Sequence, residues 1–305
     1  MKLDVLIPTF NRANLLVKTV DSLLRTLPPQ ELNVSLTVVD NDSTDHTREL
    51  VQKLPVRYIH EPRRGKCFAL NTGIALTDGD LVAMLDDDEE VSDSWYARID
   101  QAFRDPFLDF IGGPYLPNFE APPPKWLIGK LRVAVGWADF GNHPRVYDSD
   151  FAGMPLGGNI VIRREMLRKV GPYDTSIGRT GTSRLMGAED VDYFERLLNA
   201  GARGMYFPDL SVHHWIPSAR LRKSYLRKWT FWVGVSDGVR EFFRPSSVPR
   251  MLGIPRYRYG KLATAVFGAM REPQNVFNHE LSLWAFAGFA VGRHSRKYRV
   301  VAEGK

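Results

Sequence analysis

The sequence predicts an α/β fold in which a mostly parallel sheet is flanked by helices. Through the first 111 residues, short apolar runs recur at regular spacing, and segments with helical periodicity separate them. An unbroken apolar run is typical of a strand buried on both faces, as in parallel sheets. Regular alternation of strands and helices predicts parallel strands joined by right-handed crossovers.

The predicted elements of this part follow in chain order. Strands are expected at Val5–Ile7, Val34–Val39, Val56–Ile59, Leu81–Leu85 and Phe107–Ile111. Helices are expected at 14–25, 43–54, 66–76 and 92–103. The second and fourth of these helices open with serine, threonine or aspartate, which cap helix N-termini well.

A loop-heavy insertion is predicted from Pro114 to Phe151, where proline, glycine and aromatic residues replace periodic patterning. Regular structure is expected to return with a strand at 157–162 and helices at 163–169 and 188–200. A strand at 204–215 follows, and beyond it the chain becomes basic and aromatic.

The fourth predicted strand ends in five consecutive carboxylates, at residues 86–90. Ligands bind at the carboxyl ends of parallel strands, and buried carboxylates need a cation or hydrogen-bond donors. Hard oxygen ligands suit Mg²⁺ or Mn²⁺, which usually accompany a phosphate substrate. A solvated acidic loop is the alternative for an acidic run considered alone.

Composition narrows the class of protein. The chain has 305 residues, 44% hydrophobic and 25% charged, which are ordinary values for globular proteins. A single cysteine, Cys67, excludes a disulfide scaffold and suits a reducing compartment. We see neither a signal-peptide pattern nor a stretch apolar enough to span a membrane, so a cytoplasmic location is expected.

A series of motifs then occurs in a fixed order along residues 3–235, and together they resemble the family 2 glycosyltransferases of GT-A fold. These motifs are PTFNR at 8–12, DNDSTD at 40–45, GK at 65–66, ALNTG at 69–73, DDD at 86–88, GN at 158–159, GAED at 187–190 and HH at 213–214. The resemblance implies an enzyme that uses a nucleotide-sugar donor and a divalent metal.

The resemblance implies roles for residues on the donor side. Asp40 would accept a hydrogen bond from a uracil-like base, and Pro8 and Thr9 would offer backbone groups to the nucleotide. Lys66, at a helix N-terminus, would meet the diphosphate, and Arg12 is assigned to the donor side without a specific contact. A turn or helix cap is the alternative for Asp40, and solvated surface charge is the alternative for Arg12 and Lys66.

In the family's D-x-D motif, the first carboxylate meets the ribose and the last reaches the metal. This assigns Asp86 to the donor and Asp88 to Mg²⁺ or Mn²⁺, with Asp87 also on the nucleotide side. The family's metal-binding histidine corresponds to His214, with His213 in reserve because neighbours in a strand face opposite sides. A structural histidine is the alternative.

Inversion at the anomeric carbon requires one general base, which removes the proton of the acceptor hydroxyl. The family places it in an acidic pair that opens a helix, which here is Glu189–Asp190, and we assign the base to Asp190. The alternative is that both carboxylates simply complement the helix dipole.

Processive members of the family carry Q-x-x-R-W together with transmembrane helices. This chain has Leu226-Arg227-Lys228-Trp229 in the corresponding region, without the glutamine. We therefore expect the transfer of one sugar per encounter.

The C-terminal third carries a strong positive charge. Residues 201–305 hold 18 Lys and Arg against 6 Asp and Glu, while the whole chain has a net charge of +6. Basic and aromatic residues are interleaved from 220 to 261, and the apolar segment Leu281–Val291 precedes Arg293, Arg296, Lys297 and Arg299. This mixture favours a peripheral contact with an anionic membrane surface over nucleic-acid binding or a plain packing helix.

The sequence thus predicts a nucleotide-sugar-binding half at 1–112, an acceptor-binding and catalytic half at 113–217, and a basic helical extension at 218–305. The predicted reaction moves a sugar, from a UDP-linked donor, to a hydroxyl of a saccharide or lipid-linked acceptor in polysaccharide or glycolipid synthesis. The alternatives are a nucleic-acid- or membrane-binding protein with a decayed enzyme domain, and a sugar-phosphate nucleotidyltransferase. The latter would need a glycine-rich pyrophosphate loop where this chain has Pro-Thr-Phe-Asn-Arg.

Overall fold

A computed structural model describes residues 1–151, 153–178, 187–243 and 245–295. The strands are β1 (Lys2–Thr9), β2 (Asn33–Asp40), β3 (Arg57–His60), β4 (Leu81–Leu85), β5 (Glu89–Val91), β6 (Phe110–Gly112), β7 (Tyr115–Phe119), β8 (Arg145–Val146), β9 (Asn159–Arg163), β10 (Gly204–Tyr206), β11 (Val212–Ile216), β12 (Arg250–Met251) and β13 (Ile254–Pro255). The α-helices are α1 (Ala13–Arg25), α2 (Thr47–Val51), α3 (Lys66–Leu76), α4 (Trp95–Ala102), α5 (Leu131–Val135), α6 (Arg164–Val170), α7 (Glu189–Asn199), α8 (Lys223–Phe243), α9 (Arg256–Arg271) and α10 (Val276–His294).

The main sheet has the strand order β3-β2-β1-β4-β9-β6-β10-β8. Its first four strands are parallel, β9 runs antiparallel to both neighbours, and β10 pairs parallel with β6. A smaller sheet has the order β5-β11-β7. The predicted α/β fold with a mostly parallel sheet flanked by helices is therefore confirmed.

Both faces of the main sheet are covered, which explains why its central strands are apolar throughout. In β4, Leu81, Ala83 and Leu85 pack into one hydrophobic cluster, whereas Val82 and Met84 pack into another. All five side chains are fully buried. Helix α1 covers the first of these faces with Leu16, Val20 and Leu23. Alternate residues of the same strand thus build two separate cores.

The chain divides into two compact units, each described here by itself. The first comprises residues 1–123, 136–174 and 189–217 and contains both sheets named above. The second comprises residues 124–135, 175–188 and 218–305. None of the helices within the described ranges is long and apolar enough to cross a membrane.

Three details of the sequence prediction were wrong. The strand expected at 204–215 is two strands, β10 and β11, which belong to different sheets because a turn that includes Pro208 interrupts them. The helix expected at 43–54 is only α2, because the Asp45 carboxylate accepts hydrogen bonds from the Thr47 amide and hydroxyl just before the helix. The predicted insertion also contains β7, α5 and β8.

In the second unit, α8 and α10 pack closely through glycines. A β-carbon built on Gly288 would lie 2.0 Å from the carbonyl oxygen of Phe231, and one on Gly234 would lie 2.3 Å from that of Ala285. Gly292 lies equally close to Val235. One side of the apolar segment Leu281–Val291 is therefore a packing surface, and small residues let the two backbones approach. Arg244, Arg296, Lys297 and Arg299 lie outside the described residues.

Candidate active site

The parallel strands bring the predicted donor residues to one edge of the main sheet. Thr9 ends β1 and Asp40 ends β2, and the two residues are paired in register. The acidic run begins directly after Leu85, the last residue of β4. Because β1, β2 and β4 are parallel, their carboxyl ends lie at the same edge, where ligands of open α/β sheets bind.

The three aspartates that follow β4 have different partners. Asp87 accepts hydrogen bonds from the Thr9 hydroxyl at 2.7 Å and from Arg12 at 2.8 Å. Asp88 accepts a second hydrogen bond from Arg12 at 2.8 Å. Asp86 pairs with Lys66, with 2.5 Å between the carboxylate oxygen and the ammonium nitrogen. The acidic run is thus built into the fold, and Asp87 and Asp88 are buried rather than solvated.

Glu89 was not assigned a role from the sequence, although it belongs to the acidic run. It is fully buried, and its Oε2 accepts a hydrogen bond from the Asp86 amide at 3.1 Å. Burial, together with the charges of Asp86 and Asp88, raises the pKa of Glu89 well above its ordinary value. One carboxylate oxygen from each of Asp86, Asp88 and Glu89 lies within 4.8 Å of the other two.

A divalent cation fits this cluster of three carboxylates. Oxygen ligands of this kind suit Mg²⁺ or Mn²⁺, and a cation would offset the cost of burying Glu89 between two other carboxylates. Burial also raises the pKa of Asp87 to about 6, with Arg12 opposing the shift and Asp88 adding to it. Asp87 faces Thr9 and Arg12 and does not belong to the cluster.

Two cations border the acidic run. The charge of Asp87 raises the pKa of Arg12 against the effect of burial. Burial lowers the pKa of Lys66, but Asp86, Asp190 and Glu189 together raise it above its ordinary value. Both side chains therefore stay charged, with Arg12 just before α1 and Lys66 at the start of α3, where helix amides favour an anion such as a diphosphate.

Asp40 is buried, and both of its carboxylate oxygens already have partners. Oδ1 accepts from the Ser43 amide at 2.9 Å, and Oδ2 accepts from the Tyr58 hydroxyl at 2.7 Å. Burial and the bond to Asp40 raise the pKa of Tyr58 to about 12. The turn considered as an alternative for Asp40 is therefore present. Each oxygen has a second lone pair, so contact with a base stays a prediction.

The two histidines of β11 face opposite sides, as expected for neighbours in a strand. His214 is buried, and its Nε2 lies 3.7 Å from Asp88 Oδ2. Its ring packs against Tyr115, with 5.7 Å between centroids, and against the backbone of Gly136. His213 is exposed and pairs with Glu90 in the strand register. The structure therefore brings His214, not His213, to the acidic cluster.

The acidic pair Glu189–Asp190 opens α7, and Glu189 is buried. Asp190 Oδ1 is also buried and has no hydrogen-bond partner among the described residues. The carboxylate lies directly against Gly157, since a β-carbon built on that glycine would be 2.0 Å from Oδ1. The fold thus places both carboxylates of the pair in the first turn of α7 and holds Asp190 against Gly157.

Further residues of the site were missed from the sequence. Asn41 fixes the loop before α3: its Oδ1 accepts from the Gly65 amide at 2.6 Å, and its Nδ2 donates to the Arg63 carbonyl at 2.6 Å. Its position next to Asp40 at a strand end was the available signal. The Tyr115 hydroxyl accepts from the Gly158 amide at 2.7 Å. It borders Gly158 together with Glu89, since a β-carbon built on that glycine would lie 2.7 Å from the Tyr115 hydroxyl and from Glu89 Oε1. Nothing in the local sequence pattern marks Tyr115.

Residues 4–171, more than half of the chain, match the family model described as Glycosyl transferase family 2. The protein belongs to this family. As a family 2 glycosyltransferase, it is an enzyme that transfers sugar from a nucleotide-sugar donor, and its acidic cluster corresponds to the D-x-D-like motif predicted from the sequence.

Curated relatives of this glycosyltransferase come from both bacteria and archaea. It is 26% identical to the succinoglycan biosynthesis protein ExoM of Rhizobium meliloti over 78% of this chain and 74% of the relative. It is 27% identical to a glucosyl-dolichyl phosphate glucuronosyltransferase of Haloferax volcanii over 81% of this chain and 80% of the relative.

Solved structures support the GT-A fold of this glycosyltransferase. The mannosyltransferase PcManGT from Pyrobaculum calidifontis, in complex with GDP-Man and Mn²⁺, matches with a TM-score of 0.63. The match covers 96% of this chain and 87% of the other at 18% identity. Residues 1–349 of S. aureus TarS match with a TM-score of 0.54 and 17% identity, covering 100% of this chain and 91% of the other. At these identities the likeness concerns the fold.

Proposed function

We propose that this glycosyltransferase is inverting and metal-dependent and moves one sugar per encounter from a UDP-linked donor to a hydroxyl acceptor. The acceptor is a saccharide or a lipid-linked saccharide in polysaccharide or glycolipid synthesis. The observation that carries the proposal is the juxtaposition of the Asp86–Asp88–Glu89 cluster, in which Asp88 and Glu89 are buried, with Arg12 and Lys66 at one sheet edge. Such an arrangement suits a diphosphate that carries a divalent cation.

On the donor side, Asp88, His214 and Glu89 would hold Mg²⁺ or Mn²⁺, and Asp86 would contact the ribose. When bound, the cation neutralises charge on the departing nucleoside diphosphate. Lys66 and the first amides of α3 face the same anion. Asp87 does a different task, because it holds Thr9 and Arg12 in place beside the cluster. Pro8, Thr9 and Asp40 remain the proposed nucleoside contacts.

On the acceptor side, the Asp190 carboxylate would remove the proton of the attacking hydroxyl. Glu189 lies beside it in the first turn of α7, and both carboxylates interact with Lys66. A single base and no nucleophilic side chain corresponds to inversion at the anomeric carbon. We keep the division into a donor half at 1–112 and an acceptor half at 113–217 as part of this proposal.

Transfer of a single sugar is supported by the region that corresponds to the processive motif. The glutamine is missing there, and Arg227 forms an ion pair with Glu280 at 2.5 Å within the second unit. Arg227 therefore has a structural partner. The relatives support the acceptor class, since one is named for succinoglycan biosynthesis and another for a glucosyl-dolichyl phosphate substrate. A lipid-linked acceptor would place the enzyme at the cytoplasmic face of a membrane.

The proposal is tested by a thermal-shift screen of UDP, GDP and dTDP and their sugars, each with Mn²⁺ or with EDTA. A ligand that binds the native state raises the melting temperature by mass action. We expect a UDP compound to give the largest shift and EDTA to abolish most of it. A larger shift with GDP would overturn the UDP assignment alone. No shift with any nucleotide, accompanied by salt-sensitive binding to RNA or DNA, would instead indicate a decayed enzyme domain.

A further inference from the structure

Helix α9 exposes large apolar side chains to solvent. Ala265 is the one buried residue among those of α9, whereas the relative exposure is 45% for Val266, 59% for Phe267 and 66% for Met270. Scattered apolar residues are normal on protein surfaces, but these three occur within five consecutive positions of one helix. The described part of the second unit thus presents a concentrated apolar surface on α9.

The spacing shows that this exposure belongs to one helical face. Ala263, Phe267 and Met270 are separated by four and three residues, so they lie above one another on the side opposite Ala265. Val266 lies on the flank of the same stripe. We call Val266, Phe267 and Met270 the apolar ridge of α9. Because the ridge points away from the face of α9 that packs on the protein, contact with an apolar partner would remove it from water.

The charge around the ridge is positive. Residues 242–271 contain six Lys and Arg and no Asp or Glu. Arg250 and Arg258 form ion pairs with Glu241 and Asp237. The other cations of α9, Arg256, Lys261 and Arg271, are exposed along the helix. Glu272, just after α9, is the nearest acidic residue in the sequence and accepts a hydrogen bond from Asn275.

We propose that α9 lies in the headgroup region of an anionic lipid bilayer, with its apolar ridge inserted and its exposed cations against lipid phosphates. Apolar side chains combined with basic residues and no acidic ones are the features of an interfacial helix. Nucleic acid would leave Val266 and Met270 in water, because bases stack on aromatic side chains. This inference goes beyond the sugar-transfer reaction and does not depend on it.

The proposal changes the segment that is expected to contact lipid. The sequence pointed to Leu281–Val291, but the glycine face of that segment packs on α8. Phe289 within it is 1% exposed. Helix α9 exposes Val266, Phe267 and Met270 at 45% to 66%, more than the 37% to 41% of Leu283, Trp284 and Val291 in that segment. Contact with lipid is therefore assigned to α9, and the glycine face of α10 is a packing surface of the second unit.

The experiment measures co-sedimentation of the full chain with vesicles of phosphatidylcholine alone or mixed with phosphatidylglycerol. Binding to the mixed vesicles at low salt is expected, with weakening but not loss at high salt, because the apolar contribution is not screened. Phe267→Ser/Met270→Ser should lower the apparent affinity at least about tenfold, since each apolar group that inserts contributes to binding. Arg256→Gln/Arg271→Gln, which removes the two exposed cations on the ridge side of α9, should lower it by about fivefold per cation.

Matched controls carry the same changes on the first unit. Phe107→Ser/Leu27→Ser removes two side chains that are 72% and 85% exposed, and Lys53→Gln/Arg168→Gln removes two exposed cations. Both controls should bind vesicles as the parent does, and all variants should keep the parent's melting temperature. The proposal is wrong if the parent ignores mixed vesicles at low salt, or if Phe267→Ser/Met270→Ser binds like the parent. It is also wrong if that double variant only dissociates a dimer, because the ridge would then contact a second copy.

Discussion

The carboxyl edge of the main sheet and helix α9 depart from ordinary burial in opposite directions. At the sheet edge, Asp87, Asp88 and Glu89 are charged residues with exposures of 6% or less. On α9, Phe267 and Met270 are apolar residues that are more than half exposed. Carboxylates are rarely buried without partners, and apolar ridges are rarely left in water. The two proposals account for both departures, with a cation beside Glu89, whose Oε1 has no hydrogen-bond partner among the described residues, and with lipid at α9.

The two regions also differ in what holds their side chains in place. The sheet edge is held by many polar contacts, in which Arg12 bridges two aspartates, Asn41 fixes the loop before α3, and Tyr115 accepts from the Gly158 amide. The ridge of α9 has no comparable network, because its side chains project from the helix. Substitutions at the sheet edge should therefore affect catalysis and stability together, whereas substitutions on the ridge should affect only attachment.

The largest effect is expected from Asp190→Asn, which keeps the shape of the side chain but cannot accept a proton. Loss of a positioned general base costs about 10²- to 10⁴-fold in rate. We expect this fall in kcat with the affinity for the nucleotide-sugar almost unchanged, measured by steady-state kinetics and calorimetry. If Glu189→Gln shows the large loss and Asp190→Asn does not, the base has been assigned to the wrong member of the pair.

Gly157→Ala should give the next largest effect on turnover. The new β-carbon would lie 2.0 Å from Asp190 Oδ1, so the carboxylate would have to move. Displacement of a catalytic group by about 1 Å can cost up to about a hundredfold in rate. The matched control is Gly260→Ala, whose β-carbon meets nothing within 4 Å. Equal turnover for the two variants would show that the position of Asp190 does not limit the reaction.

Tyr115→Phe should destabilise the fold by about 1–3 kcal/mol, because it leaves the buried Gly158 amide without its acceptor. It should also weaken metal-dependent nucleotide binding severalfold, because the Gly158 backbone that Tyr115 holds borders Asp86 and Glu89. Tyr147→Phe is the control, since the buried Tyr147 hydroxyl has no hydrogen-bond partner among the described residues. Urea unfolding of both variants makes the comparison. If both variants lose a similar free energy of unfolding, the loss comes from removing a buried hydroxyl in general and not from the Tyr115–Gly158 hydrogen bond.

The smallest effect, a change in the pH dependence of stability, is expected from Glu61→Gln in the loop before α3. Hydrogen bonds from Arg63 lower the pKa of Glu61 from 4.5 to about 2, with burial opposing and Thr72 assisting. A lowered pKa stabilises the folded state above pH 4.5, and this contribution is lost as the pH falls towards 2. Glu61→Gln should therefore be less stable than the parent at neutral pH, and the difference should shrink in acid. A difference that is constant from pH 7 to pH 3 would contradict this account.

Much of the first unit could be predicted from sequence, and the exceptions have physical causes. Apolar runs located β1, β2 and β4, and the motif order located Asp86–Asp88, Asp190 and the histidine pair. The choice between His213 and His214 agrees with the structure, but the sequence alone could not decide it because the register of β11 depends on pairing with β5 and β7. Tyr115 could not be found, since its role arises from contacts distant in sequence. The ridge of α9 was missed because periodicity shows that a helix is amphipathic but not which face is covered.

The central claim is that the acidic cluster at the sheet edge binds a nucleoside diphosphate through a divalent cation. Isothermal titration of UDP, and of GDP, into the parent protein and Asp88→Ala, each with Mn²⁺ or EDTA, tests it most directly. Asp93→Ala, which removes an exposed carboxylate outside the cluster, is the control. We expect Mn²⁺ to strengthen binding at least about tenfold in the parent and in Asp93→Ala, and to have no effect in Asp88→Ala. Binding to Asp88→Ala that still depends on Mn²⁺ as strongly as in the parent would contradict the claim.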